Sequence, residues 1–261
     1  MNIFEPTQIA SNFRQTVKAE ITRNKFDIRI IGFLVSDDPA SEVYANYTKE
    51  ACRDVGIQFH LNKITHEHIA QQMENANRDK EVHGIFVYYP IYGDKRDDQI
   101  KDRISHTKDV EGLSSYWMDK LYANQRFDDP EKTKKCVLPC TPLAIIKLLE
   151  QTSVYDPQGL PFDLQTIAVF NRSEVVGRPL AYMLANDGAR VYSFDVNGGL
   201  VVHHRNKDEA EISREQALRE SDIVITGVPS KNFDKIRANE LKPGAIGLNF
   251  SFVQNFEEAA K

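Results

Sequence analysis

A turn and the acid that follows it constrain the fold of this 261-residue chain more than any other feature. An apolar run, Thr166 to Phe170, leads into the turn NRSEVVG, and a helix pattern follows from Pro179 to Asn186. A β-rich run from Arg190 then ends at Asp195. This order of elements is the layout of a dinucleotide-binding βαβ unit. N–H groups at the start of the helix can hold a pyrophosphate, and the acid can accept hydrogen bonds from ribose hydroxyls. The pattern therefore favours an α/β domain that binds a nicotinamide cofactor.

The glycine fingerprint of such a turn is incomplete, because Asn171 stands where the first glycine is expected. An ordinary α/β turn with an acid at a strand end would show the same local sequence. The turn alone leaves both interpretations open.

Composition and charge exclude several classes of protein. The chain is 41% hydrophobic and 27% charged, with a formal net charge of −5, which is typical of a globular enzyme. No basic face is indicated, so nucleic acid is not an expected partner. No apolar stretch approaches the roughly 20 residues of a membrane span, and the start MNIFEPTQIASNF has no signal-peptide character. We therefore expect no membrane association and a cytoplasmic location.

The cysteines and histidines do not suggest a metal site. Three cysteines, at 52, 136 and 140, are too few for a disulfide framework. Cys136 and Cys140 have no second pair at ligand spacing, so no metal is expected. The pairs His66/His68 and His203/His204 are expected to lie on the surface.

Strand and helix patterns alternate along the chain, which favours mostly parallel sheets. Asp38 is expected to cap a helix that has Pro39 in its first position and ends at Gly56. The other predicted elements are strands at 27–35, 58–61, 84–89, 222–226 and 245–249, and helices at 67–77 and 143–149. We therefore expect two α/β lobes, residues 1–142 and 143–261, with a cleft between them for a small molecule.

Five sequence blocks, in this order, resemble the methylenetetrahydrofolate dehydrogenase/cyclohydrolase family. They are PASEVYANYTKEA from Pro39, GIFVYYP from Gly84, KDVEGL from Lys108, LPCTP from Leu138 and NRSEVVGRPLA from Asn171. The resemblance is closest to the NAD-dependent, dehydrogenase-only eukaryotic branch. It implies an N-terminal α/β folate-binding and catalytic domain and a C-terminal Rossmann-type NAD-binding domain with a parallel sheet.

The resemblance also implies a reaction. A hydride would pass from 5,10-methylenetetrahydrofolate to NAD and give 5,10-methenyltetrahydrofolate, in one-carbon metabolism and purine biosynthesis. The cofactor would be NAD, the substrate a folate, and the assembly a homodimer by analogy with relatives.

The same resemblance carries site residues onto this chain. Catalytic positions would be Tyr44, Thr48 and Glu111. Substrate would bind at Tyr44, Tyr88, Glu111, Pro139 and Cys140. Cofactor would bind at Thr141, Asn171, Arg172, Ser173, Val176, Gly177, Asp195, Gly227, Val228 and Pro229. Taken without the resemblance, Tyr44 and Tyr47 would be core residues, Tyr88 an ordinary strand residue, Glu111 a solvated loop acid and Cys140 a packing residue.

Two departures from the bifunctional pattern predict that cyclohydrolase activity is absent. Thr48 stands where the bifunctional enzymes carry a lysine, and Lys49 lies about 100° further around the helix. Tyr88 stands where they carry the glutamine that supports that lysine. Without both partners, no group is expected to activate water.

A third departure concerns the C-terminal end. The family ends with a glycine-rich, GPMT-like segment, whereas this chain stops at Lys261 soon after LNFSFVQNF. We therefore expect NAD binding to persist and folate binding to weaken. Two alternatives follow: a folate- and NAD-binding protein without turnover, or a hydride-transfer dehydrogenase on another small substrate, of shikimate or amino-acid type. KDVEGL and PCTP argue against the second.

Overall fold

The structure, a computed structural model, describes residues 6–35, 39–202 and 211–258. The chain divides into two compact units: Asn2–Lys120 with Glu131–Leu138, and Leu121–Pro130 with Pro139–Lys261. The first unit contains a parallel sheet and the second a sheet with four parallel strands, each with helices, so the expected two-domain α/β fold is confirmed. The expected division between residues 142 and 143 stays a prediction.

The first unit alternates helices and strands around a small sheet. Its elements are α1 (Pro6–Asn24), β1 (Arg29–Leu34), α2 (Pro39–Val55), β2 (Gln58–Lys63), α3 (Ile69–Arg78), β3 (Gly84–Val87), α4 (Arg96–Lys101) and α5 (Ser115–Tyr122). The strands are parallel in the order β2-β1-β3. α2 ends at Gly56, whose φ of +90° suits glycine, as its place in the sequence predicts.

Both faces of this sheet are covered, because neighbouring strand residues point to opposite sides. Phe33, Ile85 and Val87 pack with α3 residues in one buried cluster. Leu34, Phe86 and Tyr88 pack with Ala45 of α2 in another. The second cluster therefore brings the end of β3 against the middle of α2.

The second unit contains a larger sheet. Its elements are α6 (Cys140–Leu149), β4 (Thr166–Phe170), α7 (Gly177–Asn186), β5 (Arg190–Asp195), β6 (Gly198–Val202), β7 (Glu211–Ile212), α8 (Arg214–Glu220), β8 (Ile223–Thr226), a 3₁₀ turn (Ala238–Glu240) and β9 (Ile246–Asn249). The strand order is β7-β6-β5-β4-β8-β9. The four strands β5, β4, β8 and β9 are parallel, as expected for a Rossmann-type domain.

Two features of this unit differ from the sequence-based expectation. β6 and β7 add an antiparallel extension beside β5, so the sheet is mixed at that edge. The helix predicted at 143–149 begins earlier, at Cys140, so Cys140, Thr141 and Pro142 form its first turn instead of a loop. Proline is compatible with that turn because the first N–H groups of a helix have no intrahelical acceptor.

Some expectations fall outside the part of the chain that the structure describes. The Asp38 cap and the pair His203/His204 lie outside it. Within the described residues, no helix has the length and apolar character needed to cross a bilayer.

Candidate functional site

In the first unit, three aromatic rings meet at the end of β3. Tyr44 of α2 packs edge-on against Tyr88, with ring centroids 5.6 Å apart, and against Phe86 at 6.0 Å. Tyr88 is 2% exposed, whereas Tyr44 is 44% exposed and Tyr47 70%. Tyr44 is thus an open ring on a rigid aromatic base, and the alternative interpretation of Tyr44 and Tyr47 as core residues is wrong.

Thr48 lies one helical turn after Tyr44 and shares its face of α2. Its hydroxyl donates a hydrogen bond of 3.0 Å to the carbonyl oxygen of Tyr44. The hydroxyl of Tyr88 is shielded from solvent and makes no hydrogen bond of good geometry among the described residues. Burial raises the pKa of Tyr88 above its usual value, and the nearby Thr48 hydroxyl lowers it by less. Tyr88 is therefore a neutral phenol at physiological pH.

The KDVEGL loop runs beside β3 and is held by its own first two side chains. The Asp109 carboxylate accepts hydrogen bonds from the N–H groups of Glu111, Gly112 and Ser114 at 2.8–3.1 Å. Lys108 donates from Nζ to three carbonyl oxygens at the end of α3. These contacts fix the backbone on both sides of residue 111.

Glu111 points back toward β3, where its Oε2 accepts a hydrogen bond from the N–H of Val87 at 2.9 Å. The residue is buried, so its interpretation as a solvated loop acid is wrong. Burial raises the pKa of Glu111 to about 8, Asp109 adds to this effect, and the Val87 N–H and Lys101 oppose it. Glu111 is therefore mainly protonated at neutral pH, and its carboxyl group can donate as well as accept a hydrogen bond.

Sequence reasoning missed Phe86 as part of the aromatic base. The signal was present, because residues two apart in a strand point to the same face and Phe86 precedes Tyr88 by two.

In the second unit, the turn after β4 is closed by its own side chains. Asn171 donates from Nδ2 to the carbonyl oxygen of Gly227 at 2.8 Å and accepts from the N–H of Ser173 at 2.9 Å. A Cβ at Gly177 would lie 1.9 Å from the carbonyl oxygen of Asn171. Only glycine allows this approach, which places the start of α7 directly against the end of β4.

The start of α7 offers a side-chain donor to an anion. Ser173 Oγ accepts hydrogen bonds from the N–H groups of Val176 and Gly177, at 3.2 and 3.4 Å, and the N–H of Arg178 donates to the Ser173 carbonyl oxygen at 3.0 Å. These N–H groups are bonded within the turn, whereas the Ser173 hydroxyl keeps its own proton to donate. The positive end of the helix dipole favours a negative charge at the same place.

Asp195 ends β5 and is held in one orientation. Its Oδ2 accepts from Arg172 Nη1 at 2.8 Å, and its Oδ1 accepts from the N–H of Asn197 at 2.7 Å. Arg172 also donates to the carbonyl oxygens of Ser193 and Gly198. A carboxylate has about four lone-pair positions, so two remain for ribose hydroxyls. Arg172 thus contacts the acid instead of lying open to a phosphate.

The remaining predicted residues lie in two places of the second unit. Pro139 is buried and precedes α6, Thr141 is half-buried, and Cys140 is exposed, so its interpretation as a packing residue is wrong. Gly227, Val228 and Pro229 follow β8, and Gly227 N–H donates to the carbonyl oxygen of Phe170 at 3.1 Å. The loop after β8 is thereby joined to the turn after β4. The substrate-binding roles of Pro139 and Cys140 stay predictions.

Among residues 6–35, 39–202 and 211–258, no three His, Cys, Asp or Glu side chains are arranged to hold a metal ion.

Both units of the chain are similar to known proteins. Residues 4–111 match the family description "Tetrahydrofolate dehydrogenase/cyclohydrolase, catalytic domain", and residues 139–254 match its NAD(P)-binding domain. A methylenetetrahydrofolate dehydrogenase [NAD(+)] of Dictyostelium discoideum is 43% identical, over 97% of this chain and 84% of the relative. The enzyme of the same name from Schizosaccharomyces pombe is 38% identical, over 97% and 82%.

A solved structure agrees with these relatives. The NAD-dependent 5,10-methylenetetrahydrofolate dehydrogenase of Saccharomyces cerevisiae superposes with a TM-score of 0.89 at 36% identity, covering 98% of this chain and 87% of that one. The resemblance expected from the five sequence blocks is confirmed over both units. This chain belongs to the tetrahydrofolate dehydrogenase/cyclohydrolase family.

Proposed function

We propose that this chain is an NAD-dependent methylenetetrahydrofolate dehydrogenase without cyclohydrolase activity. The observation that carries the proposal is the pair at positions 48 and 88. There, a hydroxyl bonded to the helix backbone and a buried phenol occupy the positions expected for a lysine and a glutamine. Relatives that are 43% and 38% identical are named as NAD-dependent dehydrogenases, which supports the same conclusion.

The oxidation requires little acid–base chemistry. A hydride leaves the carbon between two nitrogens of the folate, and the resulting cation is stabilised by those nitrogens. Bound NAD would supply the hydride acceptor. The protein must bind and orient two rings and exclude water. Tyr44, as an exposed ring on a fixed aromatic base, is suited to stack on the folate.

Glu111 is suited to recognise the polar edge of the pterin. Because its pKa is raised to about 8, the carboxyl group is neutral at physiological pH and costs less to keep buried than a carboxylate. A neutral carboxyl can donate to a ring nitrogen and accept from an amino group at the same time.

Asp195 supports a preference for NAD over NADP. Its carboxylate would accept hydrogen bonds from ribose hydroxyls and repel a 2′-phosphate. Arg172 offsets this repulsion little, because it already donates to Asp195 and to two backbone carbonyls.

Hydrolysis of the methenyl product would need a base and a positioned water. The Thr48 hydroxyl does not deprotonate near neutral pH and is bonded to Tyr44. Tyr88 is held neutral by burial. Neither residue can replace a lysine amine, so the proposed enzyme releases the methenyl product unhydrolysed.

The test is an assay of purified protein with methylenetetrahydrofolate and either NAD or NADP. We expect NADH formation with NAD, a much lower kcat/KM with NADP, and methenyl absorbance that decays at its uncatalysed rate. Decay that increases in proportion to protein concentration would overturn the dehydrogenase-only assignment. Tight binding of both ligands without NADH would instead support the non-catalytic alternative, which nothing in the comparisons favours. The homodimer and the cytoplasmic location stay predictions, testable by sedimentation and by cell fractionation.

A further inference from the structure

The loop after β8 forms one side of the crevice in which a doubly wound sheet binds its ligand. β4 pairs with β5 on one side and with β8 on the other. Ligands bind at such a switch point, outside the carboxyl ends of the strands. The loops that follow β4 and β8 therefore face each other across this crevice, and residues 227–229 belong to the second loop.

The side chain of Asn255 is hydrogen-bonded to the backbone of this loop. Its side chain accepts a hydrogen bond from the N–H of Val228 at 2.9 Å and donates one to the carbonyl oxygen of Val228 at 3.0 Å. The amide thus pairs with one residue at two points, as a neighbouring strand would. Asn255 is 0% exposed, so neither bond competes with water.

Asn255 is itself anchored to the core of the second unit. Its carbonyl oxygen accepts from the N–H of Ile236 at 2.9 Å, and the next residue, Phe256, forms an isolated bridge with Ile236. Phe256 and Ile236 are both buried in the main hydrophobic cluster, and Val228 packs at its edge. The position of the loop is therefore coupled to residues 255–256, nearly 30 residues further along the chain.

The backbone N–H and carbonyl groups of the first two residues of the loop are all hydrogen-bonded to the protein. Gly227 donates to Phe170 and accepts from Asn171, and Val228 is bonded to Asn255 through both of its groups. Ser251 Oγ also donates to the Val228 carbonyl oxygen, at 3.0 Å. The ring of Phe250 lies on Gly227, where a Cβ would be 1.8 Å from it. The position of these two residues is therefore set by the protein itself.

We propose that Asn255 is a positioning residue for NAD binding, which holds the Gly227–Pro229 loop at the depth that the cofactor requires. The inference rests on the proposed function. It concerns a residue that would not touch the cofactor, and it assigns a role to the stretch QNF near the end of the described chain.

Asn255→Asp is the most informative variant, because the two side chains have the same shape. A protonated carboxyl can make both bonds to Val228, whereas a carboxylate cannot donate and faces a carbonyl oxygen. Burial favours the protonated form at low pH.

The measurement is NAD affinity by calorimetry on the full chain at pH 5.5 and pH 8, expressed relative to the unaltered protein at each pH. We expect Asn255→Asp to bind NAD about tenfold more weakly than the unaltered protein at pH 8, because the loss of one hydrogen bond of ordinary strength changes an affinity by about that factor. At pH 5.5 we expect its NAD affinity to lie within about twofold of that of the unaltered protein. Steady-state kinetics should show a raised KM for NAD and an unchanged KM for folate.

Asn77 provides the matched control. Its side-chain amide also bonds to backbone at two points, in the first unit, donating to the Arg103 carbonyl oxygen at 2.7 Å and accepting from the Ser105 N–H at 2.9 Å. Asn77→Asp should lower thermal stability and leave NAD affinity unchanged at both pH values.

The outcomes separate the inference from the proposed function. If the unaltered protein binds no NAD, the proposed function fails. If it binds NAD and Asn255→Asp binds equally well at pH 8, the inference alone is overturned. Should Asn255→Asp not fold, Ser251→Ala decides: a two- to threefold loss of NAD affinity supports the positioning role, and unchanged affinity refutes it.

Discussion

The two units differ in how completely the polar groups of their candidate sites are hydrogen-bonded. In the second unit, Asn171, Ser173 and Asp195 are bonded to the protein itself. In the first unit, Thr48 and Glu111 are also bonded to backbone, but the buried hydroxyl of Tyr88 makes no hydrogen bond of good geometry among the described residues. The turn of the second unit is therefore closed by its own bonds, whereas the aromatic site of the first unit retains a buried hydroxyl without such a bond.

Gly177→Ala should disrupt the turn before α7 in the second unit and have the largest of the expected effects. The added Cβ would meet a backbone oxygen 1.9 Å away, which cannot move without opening the turn. We expect NAD affinity by calorimetry to fall at least about 100-fold, since overpacking of this severity costs some 3 kcal/mol or more. Gly159→Ala is the control, because nothing lies within 4 Å of its Cβ position. Unchanged affinity in Gly177→Ala would show that the turn is not rigid.

Glu111→Gln tests the candidate site of the first unit through the pH dependence of stability. Since the folded pKa is about 8 and the usual value is near 4.5, folding favours the protonated form. This stabilisation is complete below about pH 4.5 and is lost as pH rises toward 8. Between pH 5.5 and 9 the unaltered protein should lose about 3 kcal/mol that Glu111→Gln retains.

Unfolding in urea, followed by fluorescence of the only tryptophan, Trp117, measures the effect in the first unit. Glu74→Gln is the control, because Glu74 is exposed and pairs with Arg78 on the surface of α3. Parallel pH profiles for the unaltered protein and Glu111→Gln would contradict the raised pKa.

Asp195→Asn tests the cofactor site of the second unit, because it removes the negative charge of the side chain and keeps its shape. Without the carboxylate, a 2′-phosphate is no longer repelled, and the kcat/KM ratio of NAD to NADP should fall at least about tenfold. Asp222→Asn provides the comparison, because Asp222 bonds to the Thr166 N–H at the other end of the sheet. It should reduce stability without changing the ratio. An unaltered ratio in Asp195→Asn would remove Asp195 from cofactor selection.

Tyr88→Phe should have the smallest effect. It deletes a buried hydroxyl that makes no good hydrogen bond, so stability should stay the same or rise by up to about 1 kcal/mol. Urea unfolding followed by Trp117 fluorescence again gives the answer, with the exposed Tyr47→Phe as the neutral comparison. A clear loss of stability would show that the hydroxyl has a partner and that the contrast between the units is weaker than described.

The sequence predicted best where elements are bounded by local signals. The limits of β4 and β5 agree with the expected 166–170 and 190–195, because a turn or glycine flanks each buried run. The β6–β7 extension was missed, since the pair Gly198–Gly199 resembles a loop and its pairing depends on β5. The sequence places the start of α6 three residues late, because Pro142 resembles a helix boundary although the first turn of a helix accepts proline.

Site residues within motifs could be found from sequence, whereas their supports could not. Asn171, Ser173 and Gly177 sit within one turn and interact locally, so their spacing carried the signal. Asn255 bonds to a residue 27 positions earlier, and nothing in QNF marks that contact. Likewise, the raised pKa of Glu111 is caused by its burial in the folded protein, which the sequence KDVEGL does not indicate.

The KDVEGL loop shows that a short motif can combine two kinds of residue with different freedom to change. Asp109 binds the N–H groups of residues 111, 112 and 114, and these exist whatever side chain stands at 111. Lys108 likewise bonds only to backbone. The bonds that hold the loop backbone therefore do not depend on which side chain stands at position 111. Evolution or a designer could vary position 111 alone and alter the chemistry offered to the ligand while the loop keeps its shape.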